Sequence, residues 1–194
     1  MASDTIPDSL PRALGRLRSS RVRLGAVIAV GLAAAFVAWL VLDRVGDSDS
    51  GPEAATEVRP SIMSLEELGA LAASTETPLY WAGPRRGTRY EVTRTGSGTV
   101  YVRYLSPALQ EGDVKPALTV VTYPMENALA RIRAGSTERS TRIQLPGGGL
   151  AVIDPRRPTN VHFAYPGQSA QVEVYAPEPG LARQLVVSGA VRPL

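Results

Sequence analysis

Residue types that commonly carry catalysis are scarce in this chain, which has one histidine and no cysteine among 194 residues. His162 lies in the run Thr159-Asn160-Val161-His162-Phe163-Ala164-Tyr165. Strand alternation puts Val161, Phe163 and Tyr165 on one face and Asn160, His162 and Ala164 on the other. As a general base, His162 would need a carboxylate and a hydroxyl supplied from elsewhere in the chain, since triad members need not be neighbours in sequence. As a sheet residue it would be a half-exposed member of a polar face, and that is the expectation. Lacking cysteine, the chain has no thiol nucleophile. A zinc site wants several His or Cys ligands, so none is expected. GxSxG, GxxxxGKS/T and a helix-opening GxGxxG are all absent. Gly147, Gly148 and Gly149 stand between two strand-like runs, where hairpin geometry explains them. Glu66 and Glu67 suit helix capping better than acid-base work. No catalytic residue and no cofactor are expected.

A second kind of chemistry is binding. Across residues 77–105 aromatic and arginine side chains alternate, and Pro84-Arg85-Arg86-Gly87 reads as an exposed loop. Tyr80, Arg85, Arg86, Arg89, Tyr101 and Arg103 together make a candidate surface for an anionic or sugar ligand. The alternative is ordinary sheet construction, in which an Arg beside a Glu or Tyr is a cross-strand pair.

These residues must be positioned by a domain that starts near residue 61. Ser64-Leu65-Glu66-Glu67 has the form of a capping box opening a helix with Leu65, Leu68, Leu71 and Ala72 on one face. Short alternating runs follow at 79–82, 88–94 and 99–105, the last two joined by a Thr95-Gly96-Ser97-Gly98 turn. The run 117–123 is β-rich, and Pro124 is expected to open a helix whose apolar face is Met125, Ala128, Leu129 and Ile132, ending at Gly135. Strands at 142–145 and 150–154 flank the PGGG turn, and strands at 159–165 and 170–176 flank PGQS. A last helix from about Pro179 buries Leu181, Leu185 and Val186. About seven strands, three helices and turns too short for parallel crossovers predict an α+β domain with a mainly antiparallel sheet, the helices covering one face.

Upstream the sequence changes character. Residues 24–42 are uncharged and apolar, and as a helix they would span about 28 Å, close to a bilayer's hydrocarbon thickness. Five arginines precede this run: Arg12, Arg16, Arg18, Arg21 and Arg23. Arginine bias predicts a cytoplasmic N-terminus (1–23) and an extracytoplasmic C-terminal domain (61–194). Bulky residues where a cleavage site would stand favour an uncleaved signal-anchor over a removed signal peptide. Gly25, Ala29 and Ala33, at four-residue spacing, would permit dimerisation through one helix face. Residues 43–60 read as an acidic flexible tether.

Charge is segregated along the chain. Residues 43–77 hold eight acids and two arginines, a net −6, whereas residues 78–194 hold fourteen basic and eight acidic groups, a net +6. A basic domain outside the membrane could meet an anionic envelope polymer or lipid headgroups, or the tether could simply neutralise it. Nucleic acid is not an expected partner on that side of a membrane.

Tyr80-Trp81-Ala82-Gly83-Pro84, Gly87, Tyr90-Glu91, Thr93-Arg94-Thr95 and Val100-Tyr101-Val102-Arg103-Tyr104-Leu105 form one block. Phe163-Ala164-Tyr165-Pro166-Gly167 and Gln171-Val172-Glu173-Val174-Tyr175, with Pro177 and Pro179, form a second. Both resemble a family of actinobacterial single-pass membrane-anchored proteins with no known activity, over about residues 65–194. The resemblance implies topology and taxon, and it brings no substrate or catalytic residue. Residues 171–188 are also similar to extracytoplasmic domains of some membrane-bound anti-sigma regulators, but a 23-residue stub cannot be a sigma-binding module. The expectation is a non-enzymatic binding or assembly domain of the cell envelope. Its rivals are an envelope-polymer hydrolase or transferase using His162 with carboxylates, and an accessory subunit of a larger membrane complex.

Overall fold

A computed structural model describes residues 59–194. The predicted span, the arginine stub, the Gly25/Ala29/Ala33 face and nearly all of the tether lie outside the described residues. Among the described residues no helix is long and apolar enough to cross a membrane.

Eight strands form one antiparallel sheet: β1 (Ser61–Met63), β3 (Arg89–Arg94), β4 (Val100–Leu105), β5 (Thr119–Pro124), β6 (Thr141–Gln144), β7 (Leu150–Ile153), β8 (Asn160–Ala164) and β9 (Ala170–Tyr175). Their order across the sheet is β1-β3-β4-β5-β9-β8-β7-β6. Two more strands, β2 (Tyr80–Trp81) and β10 (Arg192–Pro193), pair in a separate ribbon. Three helices, α1 (Leu65–Ala73), α2 (Ala128–Gly135) and α3 (Leu181–Val187), complete the α+β fold. The turns behave as their residues dictate. Gly98 donates its N–H to Thr95 O across the β3–β4 hairpin. In the PGGG corner between β6 and β7, Gly147 and Gly148 take φ values of 75° and 78°, which side-chain-bearing residues rarely adopt.

Register assigns every side chain to a face. Tyr90, Tyr104, Val92, Val102, Val120, Val174, Val161, Phe163 and Ala151 fall on one face. Helices α1 and α3 pack there, through Leu68 and through Ala182, Leu185 and Val186. The β2–β10 ribbon lies between them, with Tyr80 N–H donating to Thr122 Oγ1 at 3.0 Å. Phe163 and Leu68 are essentially inaccessible; each contributes about 1.5–3 kcal/mol by leaving water.

Helix α2 sits elsewhere, and this corrects the expectation that all helices share one face. Ala128 and Ile132 pack with Leu150, Val152 and Ala164, which point to the opposite side from Ala151 and Phe163. The helix also starts at Ala128, not Pro124, which ends β5. Asn127 intervenes in the left-handed region at φ 56° and turns the chain onto that second face. With both faces covered, the central strands are buried nearly end to end: five of the six residues of β9 are inaccessible.

The capping box at α1 forms as predicted. Ser64 Oγ accepts from Glu67 N–H at 3.2 Å, and Glu67 Oε2 accepts from Ser64 N–H at 2.7 Å. Ser64→Ala is expected to cost about 1 kcal/mol, since it strands an N–H at the helix start. A melting curve of this variant that overlays the wild type would show that packing of Leu68 alone fixes α1.

Candidate functional site

The six residues of the predicted ligand surface do not gather on one face. Arg89, Tyr101 and Arg103 project from the α2 side of the sheet, whereas Tyr80 and Arg85 belong to the other side. Tyr80 is buried at 1% exposure, its ring edge-on to Phe163 at 5.6 Å and its hydroxyl bound to Gln168 Oε1. Burial pushes its phenol up to about 12. It is a core residue. Arg89 donates to the Leu109 carbonyl. Arg103 pairs with the buried Glu91 carboxylate and donates to the Asp113 and Lys115 carbonyls at 2.8 and 3.0 Å. Glu91 also accepts from Gly112 N–H. These two arginines therefore fasten the 106–118 loop across the sheet, where Leu109 and Ala117 pack with Leu105.

Next to this clamp the same face carries a buried polar cluster. Glu173 is 3% exposed; it accepts from Tyr123 Oη at 2.7 Å and from Asn160 Nδ2 at 2.5 Å. His162 is its direct cross-strand neighbour and is 6% exposed, so the half-exposed expectation fails. Burial pulls the His162 imidazole below its ordinary value, with Glu173 opposing that shift. Burial and the adjacent Glu173 carboxylate raise Tyr123 far above the usual phenol range. Gln171, fully buried on the same face, has neither its Nε2 nor its Oε1 hydrogen bonded. The cluster does hold an imidazole, a carboxylate and a hydroxyl together. Its Glu173 oxygens, however, are occupied by neighbours within the sheet, and His162 lines neither the hollow between Thr75 and Pro124 nor the one between α2 and the Pro166–Ser169 turn. The paired carboxylates Glu66 and Glu67 lie away from it, at the start of α1. No group of three metal-ligating side chains is present among the described residues.

The Pro84-Arg85-Arg86-Gly87 loop is exposed, as expected, at Pro84, Arg86 and Gly87, and Arg85 is half-buried. Two tyrosines of the sheet support it from below. Ala82 N–H donates to Tyr104 Oη at 2.6 Å, and Arg85 N–H donates to Tyr90 Oη at 3.0 Å. The Tyr90 and Tyr104 rings meet edge-to-face at 5.4 Å, with Trp81 edge-on to Tyr90 at 6.2 Å. The Arg85 guanidinium lies over the Tyr104 ring at 6.0 Å. Its position above Tyr104 had no signal in the sequence, because the two residues are brought together only by the β3–β4 pairing and the ribbon.

Compared with known proteins, the chain matches no family model, no curated protein and no solved structure.

Proposed function

We propose that the chain is a single-pass anchored, non-enzymatic binding or assembly module of the cell envelope, its α+β domain held outside the membrane. The observation that carries this reading is the state of the reactive groups. Glu91, Arg103, Tyr123, Asn160 and Glu173 spend their hydrogen bonds on one another and on the 106–118 loop. A catalytic carboxylate would instead be aimed at a space that substrate can enter. The apolar run at 24–42 and the arginines before it support the topology.

A reporter active only outside the cytoplasm, fused after Leu194, should be active in cells, and crosslinking of the intact chain in membranes should trap discrete envelope partners. An inserted protein with a silent reporter would overturn the orientation. The rival reading, a hydrolase built on His162, predicts that His162→Gln abolishes turnover of an envelope polymer; the present reading predicts no turnover to lose.

A further inference from the structure

We propose that the Gly83–Gly87 loop and the two tyrosines beneath it form a binding site for a phosphate oxyanion. This rests on the binding-module reading and names the chemistry of one ligand. Its basis is an imbalance of donors over acceptors. Tyr90 accepts the Arg85 N–H of the loop, and Tyr104 accepts the N–H of Ala82 just before it. A phenol that accepts still has its own proton to donate, and no described hydrogen bond uses either proton. Arg85 Nε is buried without a partner. Neither Arg85 nor Arg86 takes part in an ion pair among the described residues. Two phenol protons, a buried guanidinium N–H and an exposed second guanidinium therefore meet at one short loop whose described neighbours supply no acceptor for them.

The chemistry of these donors selects the ligand. A carboxylate is satisfied by one guanidinium fork. Donors from a fork and from two phenols on different strands suit a tetrahedral oxyanion, whose oxygens point several ways. Burial keeps the Tyr104 hydroxyl protonated well above its ordinary range, so it stays a donor at physiological pH. The Tyr104 ring, its centroid 6.0 Å from the guanidinium carbon, holds the Arg85 side chain near the loop before a ligand arrives, which lowers the ordering cost of binding. Gly83 and Gly87, at φ 72° and 70°, let the loop bend at both ends without a side chain over the site. The domain's net +6 would draw an anion towards it.

The test uses the full chain, purified in mild detergent and labelled on arginine nitrogen, titrated with inorganic phosphate at constant ionic strength. The Arg85 Nε–Hε resonance should move and saturate. Arg85→Lys keeps the charge but loses the fork, and should weaken binding about tenfold. Tyr104→Phe should weaken it as well; because that change also removes the Ala82 brace, Arg85→Lys is the variant that decides. Phosphatidylglycerol vesicles, with phosphatidylcholine vesicles as control, distinguish the source. Capture by the former that soluble phosphate competes away identifies a lipid phosphate, and saturation by inorganic phosphate without vesicle capture identifies a soluble one. A shift that never saturates, or vesicle capture untouched by Arg85→Lys, overturns the site. The reporter fusion is independent of this result, so loss of the site and loss of the envelope reading are distinguishable.

Discussion

Arg103→Ala is expected to destabilise the domain by about 3 kcal/mol, because it leaves the Glu91 carboxylate buried without its cation. Glu91 is 1% exposed, and its other described partner is the Gly112 N–H. The same substitution releases two carbonyls of the 106–118 loop, at Asp113 and Lys115. The expected loss is therefore both global and local. At about 3–4 °C per kcal/mol for a domain of this size, the melting temperature should fall by roughly 10 °C. A glutamate-specific protease should also cut after exposed Glu111 well below that temperature, at a rate the wild type does not show. Replacing both partners with apolar residues, Glu91→Leu with Arg103→Met, should recover much of the loss, since the buried charge is then gone. If Arg103→Ala melts with the wild type and Glu111 stays protected, the ion pair is not what holds the loop.

The same loop explains much of what could and could not be read from the sequence. Alternation located every long strand within a residue or two, because one face of each is consistently apolar: Tyr90 and Val92, Val100 and Val102, Val161 and Phe163. The three helices were legible from spacing, and the start of α1 from its capping box, whereas the start of α2 was not. Alternation made His162 a half-exposed residue of a polar face, and here it failed; the cross-strand pairing of an Arg with a Glu was legible, and it forms between Arg103 and Glu91. A polar strand face is solvated only if nothing crosses it. Whether a 13-residue loop or α2 folds back over that face depends on tertiary contacts such as those of Arg103 with the Asp113 and Lys115 carbonyls, which no local pattern encodes. The face that α2 covers was equally hidden, since Ala128 and Ile132 would serve against either side. Strands β1 and β10, three and two residues long, are too short for alternation to register. Tyr80 looked like a surface aromatic because its partner strand, β10, lies more than a hundred residues away.

Candidate-site legibility divides the same way. The exposure of Arg86 followed from the Pro and Gly around it. The support from Tyr90 and Tyr104 did not, because those side chains reach the loop only through the β3–β4 register, Tyr90 opposite Tyr104.

The buried cluster around Glu173 should make stability depend on acid in a way that separates its members. His162 is held below its ordinary value of 6.5, and the cause is burial. The unfolded chain therefore takes up this proton at a higher pH than the folded one. The stability it contributes is complete above about pH 6.5 and is lost as pH falls through the folded value. Thermal melts of the wild type should drop between roughly pH 6.5 and 5, before most carboxylates titrate, and His162→Gln should flatten that limb. Glu173 opposes the His162 shift, so Glu173→Gln should move the imidazole lower still and steepen the acid loss. Glu173→Ala goes further. It strands the Tyr123 hydroxyl and the Asn160 amide, and should cost about 2–4 kcal/mol for two lost acceptor contacts. Combining His162→Gln with Glu173→Gln should remove the steepened acid limb, because no imidazole is left to protonate. An acid limb that survives in the double variant would place the titrating group elsewhere, and the cross-strand pair of His162 with Glu173 would then carry no part of the domain's pH response.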